Sequence, residues 1–336
     1  MATQRQQHTL IIGASGAIGK ALIAHLTAVH GEQSVIACLH RSPLPDELAA
    51  VCIQEPGVSV LDESSLERVL TKHARTIGTV WMLAAPLSVD TARDPSLAHD
   101  TTVGGMERLL RCMLRAGLKK VCFSDSIGSF GAASPRTDAT ARWLTQHPSQ
   151  DPGSDYGLQK RQCRELMAQY SAGHGFDTRF AVIPGVLHSS AEWGGGTTEY
   201  ALEAIAAAVR GTEFSCPVPA DVSLPMCWIS DLVAGLVALQ DSPRETLQEP
   251  EGGYAISGFS FTAETLFAKL RAMFPDFAVE ETLDPDAAAF ARLWPDAISG
   301  DAARRDLGFS AEVGLEQAVE MTVQAHRDRR QQHSSL

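Results

Sequence analysis

An α/β fold built on a doubly wound, mostly parallel sheet is predicted for this 336-residue chain by three observations. Short apolar strands alternate with helix-length segments through the first half, the pattern of a parallel sheet covered on both faces. A glycine-rich turn, Gly13-Ala14-Ser15-Gly16-Ala17-Ile18-Gly19, directly follows the first strand and opens the first helix. The chain is also long enough to bury a substantial core without disulfide or metal staples.

Taken in order, residues 9–12 (Thr-Leu-Ile-Ile) form the first strand, and a helix runs over 20–30 after the turn. Further strands are expected at 34–39, 58–61 and 79–83. A helix over 102–115 sets Val103, Met106, Leu109, Leu110 and Met113 along one stripe. A fifth strand begins at 121–123, a helix spans 157–173 and a sixth strand covers 179–183. Beyond Pro184 the rhythm breaks. Gly194-Gly195-Gly196 marks a loop, a helix follows over 198–210, and short strands and helices alternate irregularly to about residue 325. The organisation expected is a Rossmann-like dinucleotide-binding domain over 1–185, a smaller irregular α/β substrate-binding region over 186–325, and a frayed polar tail over 326–336.

Composition narrows the function. The chain is 44% apolar and 20% charged, as in ordinary globular proteins, with a net charge of −12. That balance argues against a nucleic-acid partner, which calls for a basic face. No apolar run approaches the ~20 residues of a membrane helix. The start, MATQRQQHTL, leaves no room for a secretory signal, so a cytoplasmic protein is expected. The seven cysteines are odd in number and form no CxxC pair, so reduced structural thiols are expected and no metal site.

The glycine-rich turn has the spacing of a phosphate cradle. Its first glycine permits the tight turn, its second lets backbone approach a pyrophosphate, and its third lets the helix pack on the strand. The free N–H groups of the helix start then face the anion. Gly13, Ser15, Gly16, Ala17, Ile18 and Gly19 are therefore candidate coenzyme ligands. At the end of the second strand an NAD-binding fold places a carboxylate for the ribose hydroxyls. Leu39 stands there instead, followed by His40 and Arg41. Without a carboxylate to repel it, a 2′-phosphate could pair with the Arg41 guanidinium, which tilts the reading towards NADP; Arg41 as a solvated loop residue is the alternative. Asp62 either accepts from the adenine amino group or caps the following helix.

Tyr156-Gly157-Leu158-Gln159-Lys160 places Tyr156 and Lys160 four residues apart, on one face of a helix. An ammonium beside a phenol favours the phenolate, so such a tyrosine can take a proton from a substrate alcohol as hydride leaves for nicotinamide. Lys160 can also hold the nicotinamide ribose. A hydroxyl from the end of the fifth strand would orient the substrate oxygen; Ser126 is the candidate and Ser124 the alternative.

These motifs carry a resemblance. GASGAIG, Leu83-Ala84-Ala85, SDSIGSFG and YGLQK, in that order, resemble the extended short-chain dehydrogenase/reductase superfamily. The segments Pro184-Gly185-Val186, GGGTTEYALEAI, LPMCWISD and LWPDAISGDAARRDLGF resemble more closely the short-chain type of L-threonine 3-dehydrogenase, over about residues 8–325. The resemblance implies oxidation of the 3-hydroxyl of L-threonine with NAD to 2-amino-3-ketobutyrate, by a homodimer joined through the helices at 102–115 and 157–173. It implies Tyr156 as the base, Lys160 as its partner and Ser126 as the orienting hydroxyl, with Leu83, Ala84, Ala85 and Pro184 against the coenzyme. Ser88, Gly185, Thr197, Thr198 and Trp294 would surround the substrate. The bland alternatives are a helix cap for Thr197 and Thr198, a plain loop hydroxyl for Ser88 and a core position for Trp294.

Departures from the family pattern are Leu39 and Glu199, where Asp is usual, Thr102, where Asn is common, and Pro86 and Asp125. They leave the chemistry in place and loosen the identity of the substrate. Another extended short-chain enzyme, such as a carbonyl reductase or nucleotide-sugar epimerase, is a second reading. A non-catalytic NAD(P) sensor is a third, and the presence of both Tyr156 and Lys160 speaks against it.

Overall fold

The computed structural model describes residues 7–190 and 196–334. The strands in chain order are β1 (His8–Ile12), β2 (Val35–Leu39), β3 (Ile53–Pro56), β4 (Ile77–Met82), β5 (Lys120–Ser126), β6 (Asp177–Ile183), β7 (Gly185–Leu187), β8 (Phe214–Cys216), β9 (Ser223–Trp228), β10 (Gly253–Ala255), β11 (Phe259–Thr262) and β12 (Val279–Glu281). The helices are α1 (Ala17–His30), α2 (Asp46–Val51), α3 (Glu63–His73), α4 (Ser88–Arg93), α5 (Pro95–His99), α6 (Gly105–Ala116), α7 (Ala141–Gln146), α8 (Asp155–His174), α9 (Tyr200–Arg210), α10 (Ile229–Asp241), α11 (Ala263–Met273), α12 (Pro285–Leu293), α13 (Asp301–Leu307) and α14 (Leu315–Ser334).

Seven strands form one parallel sheet in the order β10-β6-β5-β4-β1-β2-β3. Both faces are covered, which is why its strands read as unbroken apolar runs rather than alternating ones. In β1, Leu10 and Ile12 pack into one core cluster and Ile11 into the other. Helices α3, α6 and α8 pack together on one side, and α1 and α10 on the other. The strand order reverses between β1 and β4, so a crevice opens beyond their carboxyl ends, where ligands of such sheets bind. A smaller sheet, β11-β9-β7, stands beside that crevice. Among the described residues no helix is long and apolar enough to cross a membrane. The cysteines are unpaired and buried.

Three expectations need correction. The third strand is Ile53–Pro56, not residues 58–61. Gly57, with φ at 69°, ends it; Val58 and Val60 are buried in the loop beyond, where the Val58 N–H still donates to Leu39 O at 3.0 Å. Their apolar spacing reflects burial under the crevice rather than a strand. The tail is helical to Ser334, continuing α14; Arg329 donates to the carbonyl of Ser189 and Arg330 to that of Val209. The expected boundary after residue 185 is crossed twice: β10 extends the central sheet at β6, and α10 packs on α1.

Candidate active site

The crevice is a cleft of about 430 Å³. It is lined from one side by Gly13, Ser15, Gly16, Ala17, Ile18 and Gly19, from above by Leu83, Ala85, Ser88, Ser126, Tyr156 and Lys160, and from the small sheet by Pro184, Gly185, Thr197, Thr198 and Trp294. Residues far apart in sequence are thereby brought together around one cleft. Gly194 and Gly195 of the expected loop lie outside the described residues.

Gly13 adopts φ 91°, and a Cβ there would stand 2.7 Å from Ala84 N, so only glycine fits the turn against the end of β4. A Cβ on Gly16 would meet only Gly13 O at 3.5 Å, which leaves open space beside the first turn of α1. That turn has no side-chain cap and no acidic residue. Uncapped N–H groups at a helix start with room in front of them suit a pyrophosphate.

A second pocket of about 280 Å³ shares Gly13 and Ser15 with the cleft and is lined by Cys38, His40, Arg41, Val60, Ala84 and Pro86 among others. No carboxylate lines it. His40 and Arg41 are exposed at its edge. Asp62 lines neither pocket; its carboxylate accepts from Ser64 N at 3.0 Å and caps α3. Of the two roles open to it, the structure gives it the cap.

Beneath the reactive end, β5 and α8 meet on glycine. A Cβ at Gly157 would lie 2.0 Å from Gly128 O, and one at Gly128 would lie 2.8 Å from the Tyr156 ring and 3.5 Å from Ser126 Oγ. Tyr156 and Ser126 therefore flank Gly128 side by side. Ser126 Oγ accepts from Gly128 N at 3.1 Å, which leaves its own proton to donate to a ligand. Ser124 Oγ, the alternative, donates instead to Met82 O at 3.2 Å. Lys160 is 3% exposed. Its Nζ donates to Ser124 O at 2.8 Å and lies 5.4 Å from the Tyr156 ring centre. Among the described residues no carboxylate pairs with this buried ammonium, so it stands ready for oxygen ligands.

Asp125 and Arg164 form a buried ion pair behind this wall, their side chains 0% and 5% exposed. Asp125 also accepts from Ser126 N at 2.8 Å and from Ser129 Oγ at 2.5 Å. The pair thus ties the strand end that carries Ser126 to the helix that carries Tyr156 and Lys160. Sequence reasoning missed Arg164 behind the wall, and Lys20 and His188 in the cleft wall.

At the far end, Ser88 Oγ and Thr197 Oγ1 lie 3.2 Å apart, both residues buried. Thr197 spends its hydroxyl on Ser88 rather than on a helix cap. Glu199, one methylene longer than the usual Asp, accepts from Gly196 N at 2.9 Å and holds the loop. Trp294 is 4% exposed and stacked on Phe290, so it is a core residue by packing. Its indole Nε1 is nevertheless buried without a hydrogen-bond partner, in a residue that lines the cleft.

Residues 9–251 match the NAD dependent epimerase/dehydratase family. The chain belongs to this family. It is thus an extended short-chain dehydrogenase/reductase, a group that uses a nicotinamide coenzyme. An uncharacterized epimerase/dehydratase of Staphylococcus haemolyticus is 29% identical over 97% of this chain and 99% of its own. A solved structure of a monomeric L-threonine 3-dehydrogenase from a metagenome superposes with a TM-score of 0.84 at 29% identity, covering 95% of this chain and 99% of that one. A GalE-like L-threonine dehydrogenase from Cupriavidus necator, in its holo form, gives 0.83 at 30% identity, covering 94% and 99%. The glycine-rich turn and the Tyr156–Lys160 helix both lie within the matched span of this epimerase/dehydratase-family chain.

Proposed function

We propose that this family member is an NAD(P)-dependent dehydrogenase of a small 3-hydroxy amino acid, L-threonine first. The observation that carries the reading is the cleft itself: Ser126, Tyr156 and Lys160 at one end, and the Ser88–Thr197 hydroxyl pair with the unpartnered Trp294 indole at the other. The first set suits proton removal from an alcohol. The second suits a compact zwitterion, whose charged groups make strong bonds to neutral donors.

The first turn of α1 and Lys160 would hold the coenzyme, which supplies a hydride acceptor when bound. Ser126 donates to the substrate's 3-oxygen and fixes its place. Tyr156, as the phenolate that the neighbouring ammonium favours, would then receive the 3-hydroxyl proton. The buried Lys160 ammonium stabilises negative charge developing at that wall. Apolar neighbours such as Ile127, Ile183 and Val186 keep bulk water from the reacting atoms.

The coenzyme pocket lacks a carboxylate and carries Arg41 at its edge, which favours NADP over NAD. The test follows reduced nicotinamide absorbance with L-threonine, D-threonine, L-allo-threonine and UDP-glucose, each with NAD and NADP. Reduction with L-threonine, faster with NADP, is expected. Arg41→Ala should weaken NADP about tenfold and NAD little, as loss of one charge-assisted bond does. Turnover of UDP-glucose alone would move the assignment to an epimerase. Trp294→Phe is expected to raise the KM for the amino acid about tenfold, with a smaller change in kcat, because a donor to a charged group is lost.

The homodimer expected from the resemblance would join at α6 and α8. Those helices leave Leu114, Leu158 and Leu166 half-buried, while the exposed large apolar side chains among the described residues, Val29, Leu61, Leu97, Met273 and Leu283, lie elsewhere. Light scattering on the purified chain decides between one copy and two.

A further inference from the structure

The wall of the cleft beside α1 carries a histidine that the reaction does not use. His188 directly follows β7 and is 5% exposed. It lines the cleft together with Gly16, Ala17, Ile18 and Lys20. Its Nδ1 is buried and has no hydrogen-bond partner. A buried ring nitrogen left unpaired is costly, so the arrangement stands better filled than empty.

The surroundings say what would fill it. Burial holds His188 below the ordinary imidazole value, and Lys20 from α1 and Arg329 from α14 push in the same direction. His326, also on α14, is held down to about 4 by burial and by Arg329, Arg210 and His188 itself. Among the described groups that act on His188 none is a carboxylate. The adjoining helix start adds uncapped N–H groups with no acid in its first turn. The described charged groups acting on His188 are cations, and the histidine shares its cleft with the turn whose shape suits a pyrophosphate.

We propose that His188, with Lys20, forms the outer half of the pyrophosphate subsite, and that His188 takes up a proton from solvent when the dinucleotide binds. The inference rests on the coenzyme-binding part of the proposed function. Its physical content is linkage. In the free chain the imidazole is neutral at neutral pH. A diphosphate beside it favours the charged, doubly donating form and raises its pKa. Between the free and bound values the complex holds more protons than its parts. Affinity for the dinucleotide therefore rises as pH falls through that window, by about tenfold for each unit that separates the two values.

Calorimetric titration with NADH, and with NADPH beside it, tests this between about pH 6 and pH 8.5 in buffers of different ionisation enthalpy. The wild-type chain is expected to take up a fraction of a proton per dinucleotide and to bind about tenfold more tightly at the acid end. His188→Gln should bind with a flat pH profile, near the wild-type alkaline affinity, and with no uptake beyond that from the 2′-phosphate of NADPH itself. If that variant does not fold, the wild-type proton count with NADH decides the matter alone. No uptake with NADH, or equal uptake in the variant, overturns the proposal while leaving the coenzyme reading intact. Absence of any binding of either dinucleotide overturns the coenzyme reading and this inference with it.

Discussion

Tyr156→Phe is expected to lower turnover by about 10²–10⁴-fold while leaving coenzyme affinity within a few-fold, because only the proton acceptor is removed. The ring packs over Gly128 at the meeting of β5 and α8, and phenylalanine fills the same space. The loss should therefore fall on kcat rather than on stability. A single-turnover measurement with bound coenzyme and L-threonine separates the chemical step from release. Ser126→Ala should also lose rate, since the proposed reading has its hydroxyl place the 3-oxygen. Turnover of Tyr156→Phe within tenfold of wild type would remove Tyr156 from the base role and leave the family chemistry without its proton acceptor.

Arg164→Met is expected to destabilise the chain by about 3–5 kcal/mol. It leaves the Asp125 carboxyl in the interior with two hydrogen bonds and no cation, and breaking one half of a buried pair costs that much. Urea denaturation followed by circular dichroism measures the loss. The double variant Asp125→Ser with Arg164→Met removes both charges and should recover most of it, because a buried pair replaced as a unit is often neutral. Activity should track a different quantity. Asp125 holds the Ser126 backbone, so the double variant should stay folded and still turn over more slowly. A single variant as stable as wild type would mean that water reaches this pair and that the tie between β5 and α8 is weak.

Legibility in the sequence followed the range of the interaction. The cradle was readable because a turn that presses backbone against backbone admits only glycine, and seven consecutive residues carry the whole requirement. Tyr156 and Lys160 were readable because helix geometry puts residues four apart on one face. The strands of the central sheet were readable except β10, which joins it from the irregular second half, and β3, where Val58 and Val60 mimicked a strand. Their burial comes from the crevice above them, and the edge strand before them contains Pro56 and the polar Gln54 and Glu55. The tail was misread because composition reports exposure, while the Arg329 and Arg330 bonds to carbonyls more than a hundred residues earlier do not show in it.

Ser88 and Thr197 are separated by 109 residues, and Asp125 and Arg164 by 39. No local rule relates either pair. His188 carries no motif at all, and only the fold sets it in one cleft with the first turn of α1. Backbone sterics and helical periodicity act within a few residues, so the coenzyme turn, the Tyr156–Lys160 pair and the sheet class were decided by the order of amino acids. Burial and electrostatic fields act through space, so the Ser88–Thr197 pair, the tie behind Ser126 and the charge around His188 were decided only when the strand order brought distant segments together.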